Sequence, residues 1–319
     1  MNNNYLMGID GGGTSCRARL CDGDGKILGE GTSGSANVRL GVEISYRAIL
    51  EASHQALAQA QLDQSVLSRT HVGMGLAGAV STTLRDDIIN YPHPFASVAL
   101  ETDAHTACLG AHKGENGGIL ILGTGSCGVA LVDGHFHNVG GWGFPISDHG
   151  SGAWIGLELV RYALQAHYKV LPSSALSDAL MARYNNNPAE IVAWMDQSSP
   201  RDYGSFMPLV AEYAENNDPL AIELLRRASE EASALLNGLK NHGADRICLM
   251  GGISPLIQPR LPIADQSCLS QPQGDAMDGA LLLVKNKLIK REPAKRELLK
   301  QQSRQPLATT QSETQGGNS

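Results

Sequence analysis

Met7-Gly8-Ile9-Asp10-Gly11-Gly12-Gly13-Thr14-Ser15 is the stretch on which the reading of this chain turns. An apolar run over residues 5–9 ends in the carboxylate of Asp10, and three glycines follow. Thr14 and Ser15 then lead into an alternating run, Cys16-Arg17-Ala18-Arg19-Leu20-Cys21. The order is strand, tight turn, strand, the signature of a β-hairpin. Glycines in the turn permit close backbone approach, so several N–H groups can aim at one ligand. Beside Thr14 and Ser15 such a nest suits phosphate oxygens, and Asp10 at the strand end suits a hydrated Mg²⁺. An ordinary glycine hairpin has the same residues, so this stretch alone leaves both readings open.

Working outward, Asp22-Gly23-Asp24-Gly25 makes a second turn, and residues 26–31 give a third strand of an antiparallel meander. Residues 33–37, Ser-Gly-Ser-Ala-Asn, form a small-residue loop at one end of that sheet. Ile44, Ala48, Ile49, Ala52, Ala56, Leu57 and Ala60 recur at helical spacing, which predicts an amphipathic helix over 42–62. A strand at 70–76 and a helix from about 81 come next. Within them Gly73-Met74-Gly75-Leu76-Ala77-Gly78 fits the dinucleotide-binding pattern. Its glycines begin inside the strand, however, and an antiparallel meander precedes it, so nicotinamide binding is disfavoured. A strand over 97–102 runs into Asp103, where Thr102 or Asp103 caps a helix over 104–111. That junction turns the Asp103 carboxylate toward any central cleft, although on local grounds a plain helix cap is the better explanation.

The opening pattern then recurs. An apolar strand at 118–122 leads into Gly123-Thr124-Gly125-Ser126, a strand over 127–133 follows, and Asp133-Gly134 starts a third. An internal duplication of a β-meander accounts for this most simply, and two Gly/Thr hairpins could clamp a polyphosphate between two domains. Residues 139–152 are too rich in glycine and aromatics for a core element. There Trp142 offers a ring face and Asp148 a bidentate hydroxyl acceptor, a combination suited to a sugar, against the alternative of a buried structural loop. Residues 173–241 read as mostly helical, and Pro219 opens the longest helix. A strand over 246–250 enters Gly251-Gly252, and a helix over 275–288 closes the pattern. From about residue 291 the polar composition predicts a disordered tail.

With 319 residues, 42% of them apolar, the chain can bury two medium cores. A net charge of −7 gives no support to nucleic-acid or anionic-membrane binding. Six cysteines without a C-x-x-C pair fit buried thiols in a reducing cytoplasm. No signal peptide or transmembrane run is evident, so a soluble cytoplasmic protein is expected.

In order and separation, Asp10 to Thr14, Thr102-Asp103-Ala104, Gly123 to Ser126, Gly141-Trp142-Gly143, Asp148-x-Gly150-Ser151 and Gly251-Gly252 resemble one family. It is the glucosamine kinase and N-acetylglucosamine kinase branch of the actin-like ATPase superfamily, and the likeness spans roughly residues 5–285. The resemblance implies an α/β fold of two ribonuclease-H-like domains, each a β-meander plus α/β units, flanking a deep cleft. Residues 1–109, joined by a closing helix at about 275–290, would form one domain, residues 110–274 the other, and 291–319 a disordered tail. It implies ATP-dependent phosphorylation of an amino sugar at its 6-hydroxyl. Asp103 would be the catalytic base and also touch the sugar, with Asn37, Gly141, Trp142, Gly143 and Asp148 around it. Gly11, Gly12, Gly13, Thr14, Thr124, Gly125 and Ser126 would cradle the phosphates of ATP, and Gly251 and Gly252 would lie against adenosine. Asp10 would orient Mg²⁺ through water. The family suggests a homodimer, which the residues neither support nor oppose.

Phosphoryl transfer rests on positioning and charge stabilisation, which two amide-rich turns, a cation and one carboxylate base supply. The chain lacks G-x-x-x-x-G-K-[ST], which excludes a P-loop kinase. Overall likeness favours glucosamine over N-acetylglucosamine, since the residues around C2 are not placed by sequence. A more distant alternative is the ATPase activator of 2-hydroxyacyl-CoA dehydratases, which holds an iron–sulfur cluster with cysteines. The cysteines lack cluster-like spacing, and the loop at 141–151 argues against it. A sugar-sensing regulator would need a helix-turn-helix extension, which the sequence does not supply.

Overall fold

The structure, a computed structural model, describes residues 4–302. Its first sheet is built from β1 (Tyr5–Gly11), β2 (Cys16–Cys21), β3 (Ile27–Ser33), β4 (Thr70–Leu76) and β5 (Ser97–Glu101), in the order β3-β2-β1-β4-β5. The first three strands are an antiparallel meander, and β4 and β5 add to it in parallel. The second sheet takes β6 (Gly117–Leu122), β7 (Ser126–Val132), β8 (His135–Gly140) and β9 (Ile247–Met250) in the order β8-β7-β6-β9. Again the meander is antiparallel and the fourth strand parallel. The two halves therefore repeat one topology, as the recurrence of the glycine hairpin predicted.

Twelve helices complete the described chain. They are α1 (Val42–Gln59), α2 (Thr82–Asn90), α3 (Asp103–Ala111), α4 (Gly152–His167), α5 (Ala175–Arg183), α6 (Pro188–Met195), α7 (Pro200–Gly204), α8 (Met207–Glu215), α9 (Pro219–Asn241), α10 (Ser254–Ile257), α11 (Ile263–Gln266) and α12 (Ala276–Gln302). Side-chain caps fix several starts. Thr102 accepts from His105 N at 3.1 Å, and Asp218 accepts from Leu220 N and Ala221 N ahead of the longest helix but one. Helix α1 buries Ala48, Ile49, Ala52, Ala56 and Leu57 against the first sheet, while Ile44, expected on that face, is 46% exposed. Helix α9 buries Leu220, Leu224, Leu225, Ala228, Ala232, Leu236 and Leu239 in the core of the second half. Among the described residues no helix is long and apolar enough to cross a membrane.

Helices α3 and α12 lie at the joint. Ala107, Cys108, Leu109 and Ala111 of α3 pack with Ile119, Val129, Leu131 and Cys248 of the second sheet, while α12 puts Leu281 and Val284 against Leu6, Cys21 and Ala99 of the first. The approach is so close that a Cβ on Gly73 would lie 1.8 Å from the Ala280 carbonyl oxygen. One on Gly75 would meet Thr106 Oγ1 at 1.9 Å, and one on Gly8 the Met277 carbonyl at 2.3 Å. The glycines of the apparent dinucleotide pattern are thus seats for two helices. Arg19 of β2, only 12% exposed, fastens the start of α12 with bonds to Asp275 (2.9 and 3.0 Å) and Asp278 (2.5 Å).

The closing helix is longer than expected. It continues through residues 291–302, assigned above to a disordered tail, where Ala, Arg, Glu, Lys, Leu and Gln favour helix although Pro293 removes one backbone donor. The remainder of that tail, 303–319, lies outside the described residues.

Substituting Gly73→Ala should force α12 off β4 and lower stability by about 1–3 kcal/mol, the usual cost of overpacking. Urea unfolding checks this, and an unchanged midpoint would contradict the close contact.

Candidate active site

A cleft of about 900 Å³ opens between the two sheets. From the first half it is lined by Gly13 and Thr14 of the opening hairpin, Asn37 of the small-residue loop, and Asp103 at the start of α3. From the second half come Gly123, Thr124, Gly125 and Ser126, then Gly141, Trp142, Gly143 and Asp148. Residues spread over 136 positions of sequence therefore face one space.

Each hairpin is closed by its own backbone. Gly12 N donates to Ser15 O at 2.8 Å, and Gly123 N donates to Gly125 O at 2.9 Å. Nothing in the protein lies within 4 Å of where a Cβ on Gly13 or Gly123 would sit, so both turns present bare backbone to the cleft. Gly11, by contrast, is tied to packing, since its Cβ would strike Leu76 at 2.5 Å. The Ser126 hydroxyl donates to His149 O at 2.8 Å and is buried, which commits its hydrogen to holding the sugar-type loop.

Asp103 is the first residue of α3, and its Oδ1 accepts from Ala104 N at 2.9 Å. Burial pushes its carboxyl above the ordinary carboxylate range against that bond, and the negative charge of Asp10 adds to the rise. Asp10 is cross-strand partner to Arg17, whose Nε and Nη2 both reach Oδ2, at 3.1 and 2.6 Å. Asp148 adopts φ 61°, a left-handed conformation that costs an aspartate about 1 kcal/mol or more. Burial raises its carboxyl too, against the amides of Ser126, Gly143 and Phe144. A Cβ on Gly125 would lie 2.7 Å from Asp148 Oδ2, so the second phosphate-type turn rests directly on this carboxylate. Between the two acids sits Cys127, whose thiol is pushed up to about 11 by burial and then by Asp103 and Asp148.

Some predicted residues stand elsewhere. Asp10, Gly11, Gly12, Gly251 and Gly252 do not line the cleft. Gly251 abuts Leu122, whose carbonyl oxygen would be 2.3 Å from its Cβ, so this pair adjoins the Gly123 turn from behind. Trp142 is 75% exposed and stands at the rim. Asn37 uses Oδ1 to accept from Arg39 N at 3.0 Å, which directs its amide hydrogens elsewhere. The sequence reading missed Arg39, Arg85, His105 and Asn138, all of which line the same cleft. Among the described residues no group of three or more His, Cys, Asp or Glu side chains is placed to hold a metal ion, so a cation here would rest on few protein ligands. Asp10 leaves Oδ1 outside its Arg17 pair, and its charge acts on Asp103, a repulsion that a cation between them would relieve.

This arrangement, a half-buried carboxylate in one cleft with two open glycine turns, coincides with a family match over residues 7–258. The chain belongs to the BadF/BadG/BcrA/BcrD ATPase family. Within this ATPase family's reach, the chain is 47% identical over 281 residues to the glucosamine kinase GspK of Vibrio cholerae, covering 88% of this chain and 96% of that one. It is 26% identical over 270 residues to the N-acetyl-D-glucosamine kinase of Dictyostelium discoideum, covering 77% and 82%. A solved structure described as an N-acetylglucosamine kinase, from Chromobacterium violaceum, superposes with a TM-score of 0.81 at 35% identity, over 89% of this chain and all of that one. The expected actin-like ATPase fold and the kinase resemblance are both borne out. As a member of an ATPase family, the protein uses ATP.

Neutralising Asp10 removes one of the charges that raise Asp103, so Asp10→Asn should lower the Asp103 pKa without returning it fully, because burial remains. Carbon-detected NMR titration of aspartate carboxyls checks this, and an upward or absent shift would contradict the coupling.

Proposed function

We propose that the protein transfers the γ-phosphoryl group of ATP to the 6-hydroxyl of an amino sugar, with glucosamine as the preferred acceptor. The observation that carries this reading is the meeting, in one cleft, of the half-buried Asp103 carboxylate, two bare glycine turns and the Gly141–Asp148 loop. The high identity to a glucosamine kinase over nearly its whole length supports the choice of sugar.

Asp103 accepts the hydroxyl proton as the oxygen attacks phosphorus. Its raised carboxyl makes it a better base than an ordinary aspartate. Backbone amides of Gly13 and Thr14 and of Thr124 and Gly125, in the two turns that line the cleft, stabilise the charge spread over the phosphate oxygens. Asn37 and Asp148 hold ring hydroxyls, with Gly141 and Gly143 admitting the ring edge and Trp142 at the rim. Gly251 and Gly252, behind the second turn, serve the adenosine end. Mg²⁺, oriented from Asp10 through water, would neutralise the β- and γ-phosphate oxygens. The activator reading has no comparable support. Cys16, Cys21, Cys108 and Cys248 are buried, and Cys127 is a high-pKa thiol inside the cleft.

A coupled ATP-consumption assay on glucosamine, N-acetylglucosamine and glucose tests the proposal, and turnover of none of them would refute it. Asp103→Asn should keep nucleotide binding and lose about 10²–10⁴-fold in kcat, the contribution of a general base. In the wild type the base form is lost as pH falls through the raised Asp103 pKa, so kcat/KM should drop at a pH above the ordinary carboxylate value of about 4. An acid limb at or below that value would contradict the burial of Asp103. Separately, Asp148→Ala should raise the sugar KM strongly with the ATP KM nearly unchanged. Equal losses in both would assign Asp148 a structural role instead.

A further inference from the structure

His105 is placed where two halves of the site must be registered. It follows Asp103 by two residues on α3, and its side chain is 12% exposed. Nδ1 lies 2.9 Å from Glu101 Oε2, at the end of β5 in the first sheet. Nε2 lies 3.0 Å from Asn138 Oδ1, on β8 of the second sheet. The imidazole also stacks on Phe136 of β8, with ring centroids 4.1 Å apart and planes within 8°. Glu101 is itself held by Arg85 of α2, at 3.1 Å. A continuous set of contacts therefore runs from α2 through β5 and α3 into β8.

The chain continues from Asn138 through Val139 and Gly140 straight into Gly141, Trp142 and Gly143. We propose that His105 is a positioning residue: by tying the first turn of α3 to β8 it fixes the distance between the Asp103 carboxylate and the loop that holds the sugar. This rests on the kinase reading with Asp103 as base. The chemistry of the link is satisfied in two ways. A neutral ring carries its hydrogen on Nδ1, facing the obligate acceptor Glu101, and accepts at Nε2 from Asn138 Nδ2 once that amide is turned over, since Oδ1 faces the ring as placed. An imidazolium donates at both ends. Either way, the Nε2 contact crosses between the sheets, whereas the Nδ1 contact stays on the first sheet's side. Proper alignment of base and hydroxyl is worth much in rate, since misplacement by about 1 Å can cost about 10²-fold.

The two contacts can be separated by substitution. Glutamine reaches the Nε2 position and keeps the Asn138 bond, while asparagine reaches only the Nδ1 position and keeps the Glu101 bond. Steady-state kinetics of His105→Gln, His105→Asn, Asn138→Ala and the His105→Asn/Asn138→Ala pair, with glucosamine and ATP, test the idea. The expected result is that His105→Gln retains most of kcat, while His105→Asn and Asn138→Ala each lose about 10–100-fold with ATP KM within about twofold. The paired variant should lose no more than either alone, as expected of two partners in one contact. Retained kcat in Asn138→Ala, or His105→Asn matching His105→Gln, would overturn the inference while the wild type stays active. Losses that follow the thermal midpoint and raise both KM values alike would also overturn it, as a merely structural contact. An inactive wild-type chain would refute the kinase reading, and this inference with it.

Discussion

The close seating of α3 and α12 on a side-chain-free strip of the first sheet governs the rest of this structure. Gly8, Gly73 and Gly75 give those helices a floor without Cβ atoms, and the helix backbones descend onto it. Gly110 and Gly279 repeat the device between the two helices, with Cβ positions 1.8 Å from the Asp275 and Thr106 carbonyl oxygens. The strip costs intrinsic strand propensity, since glycine inside a strand is worth about 0.5–1 kcal/mol less than alanine. What it secures is a thin joint, with α3 in contact with the first sheet on one side and the second sheet on the other.

From that joint the electrostatics of the cleft follow. Because α3 begins at the end of β5, its first residue projects into the space between the hairpins, and the residue there is Asp103. The helix start faces it with the Ala104 amide, which favours ionisation, while burial and Asp10 oppose it. The result is a carboxylate raised in pKa yet still hydrogen-bonded, which is what the proposed role as base asks of it. Asp148 reaches a similar balance by other means, with three amides offsetting its burial and a left-handed backbone aiming it at the second turn.

Much of this was legible in the sequence, for a physical reason. A glycine hairpin between apolar runs is local, and its repetition at Gly123 is read without any tertiary knowledge. Asp218-Pro219 and Thr102-Asp103 likewise announce helix starts through nearest-neighbour chemistry. What the sequence hid depends on partners far along the chain. Gly73 and Gly75 matched a dinucleotide fingerprint because their true partners, Ala280 and Thr106, lie 207 and 31 residues away. Asn138 carries no local signal at all. Glu101 and His105 did carry one, an acid and a histidine four residues apart across a strand–helix junction, next to the candidate base. The helical extension to Gln302 carries a mixed local signal, since helix-favouring residues there surround Pro293 in a polar composition.

The glycines also sort themselves by what they touch. Gly11, Gly73 and Gly110 have contacts that exclude a side chain, so packing accounts for them. Gly13, Gly123 and Gly252 have no protein atom within 4 Å of a Cβ and no left-handed φ, so neither crowding nor backbone geometry demands glycine there. An alanine would fit the protein and would be worth about 0.5–1 kcal/mol in an ordered segment. The space left at these positions therefore serves something other than the fold. Two of them, Gly13 and Gly123, face each other's halves across the cleft, and the third lies just behind Leu122 at the end of the strand that feeds Gly123. A ligand long enough to pass both turns and continue beyond the end of β6 matches a nucleoside triphosphate better than it matches a sugar alone, in keeping with the division of the site proposed above.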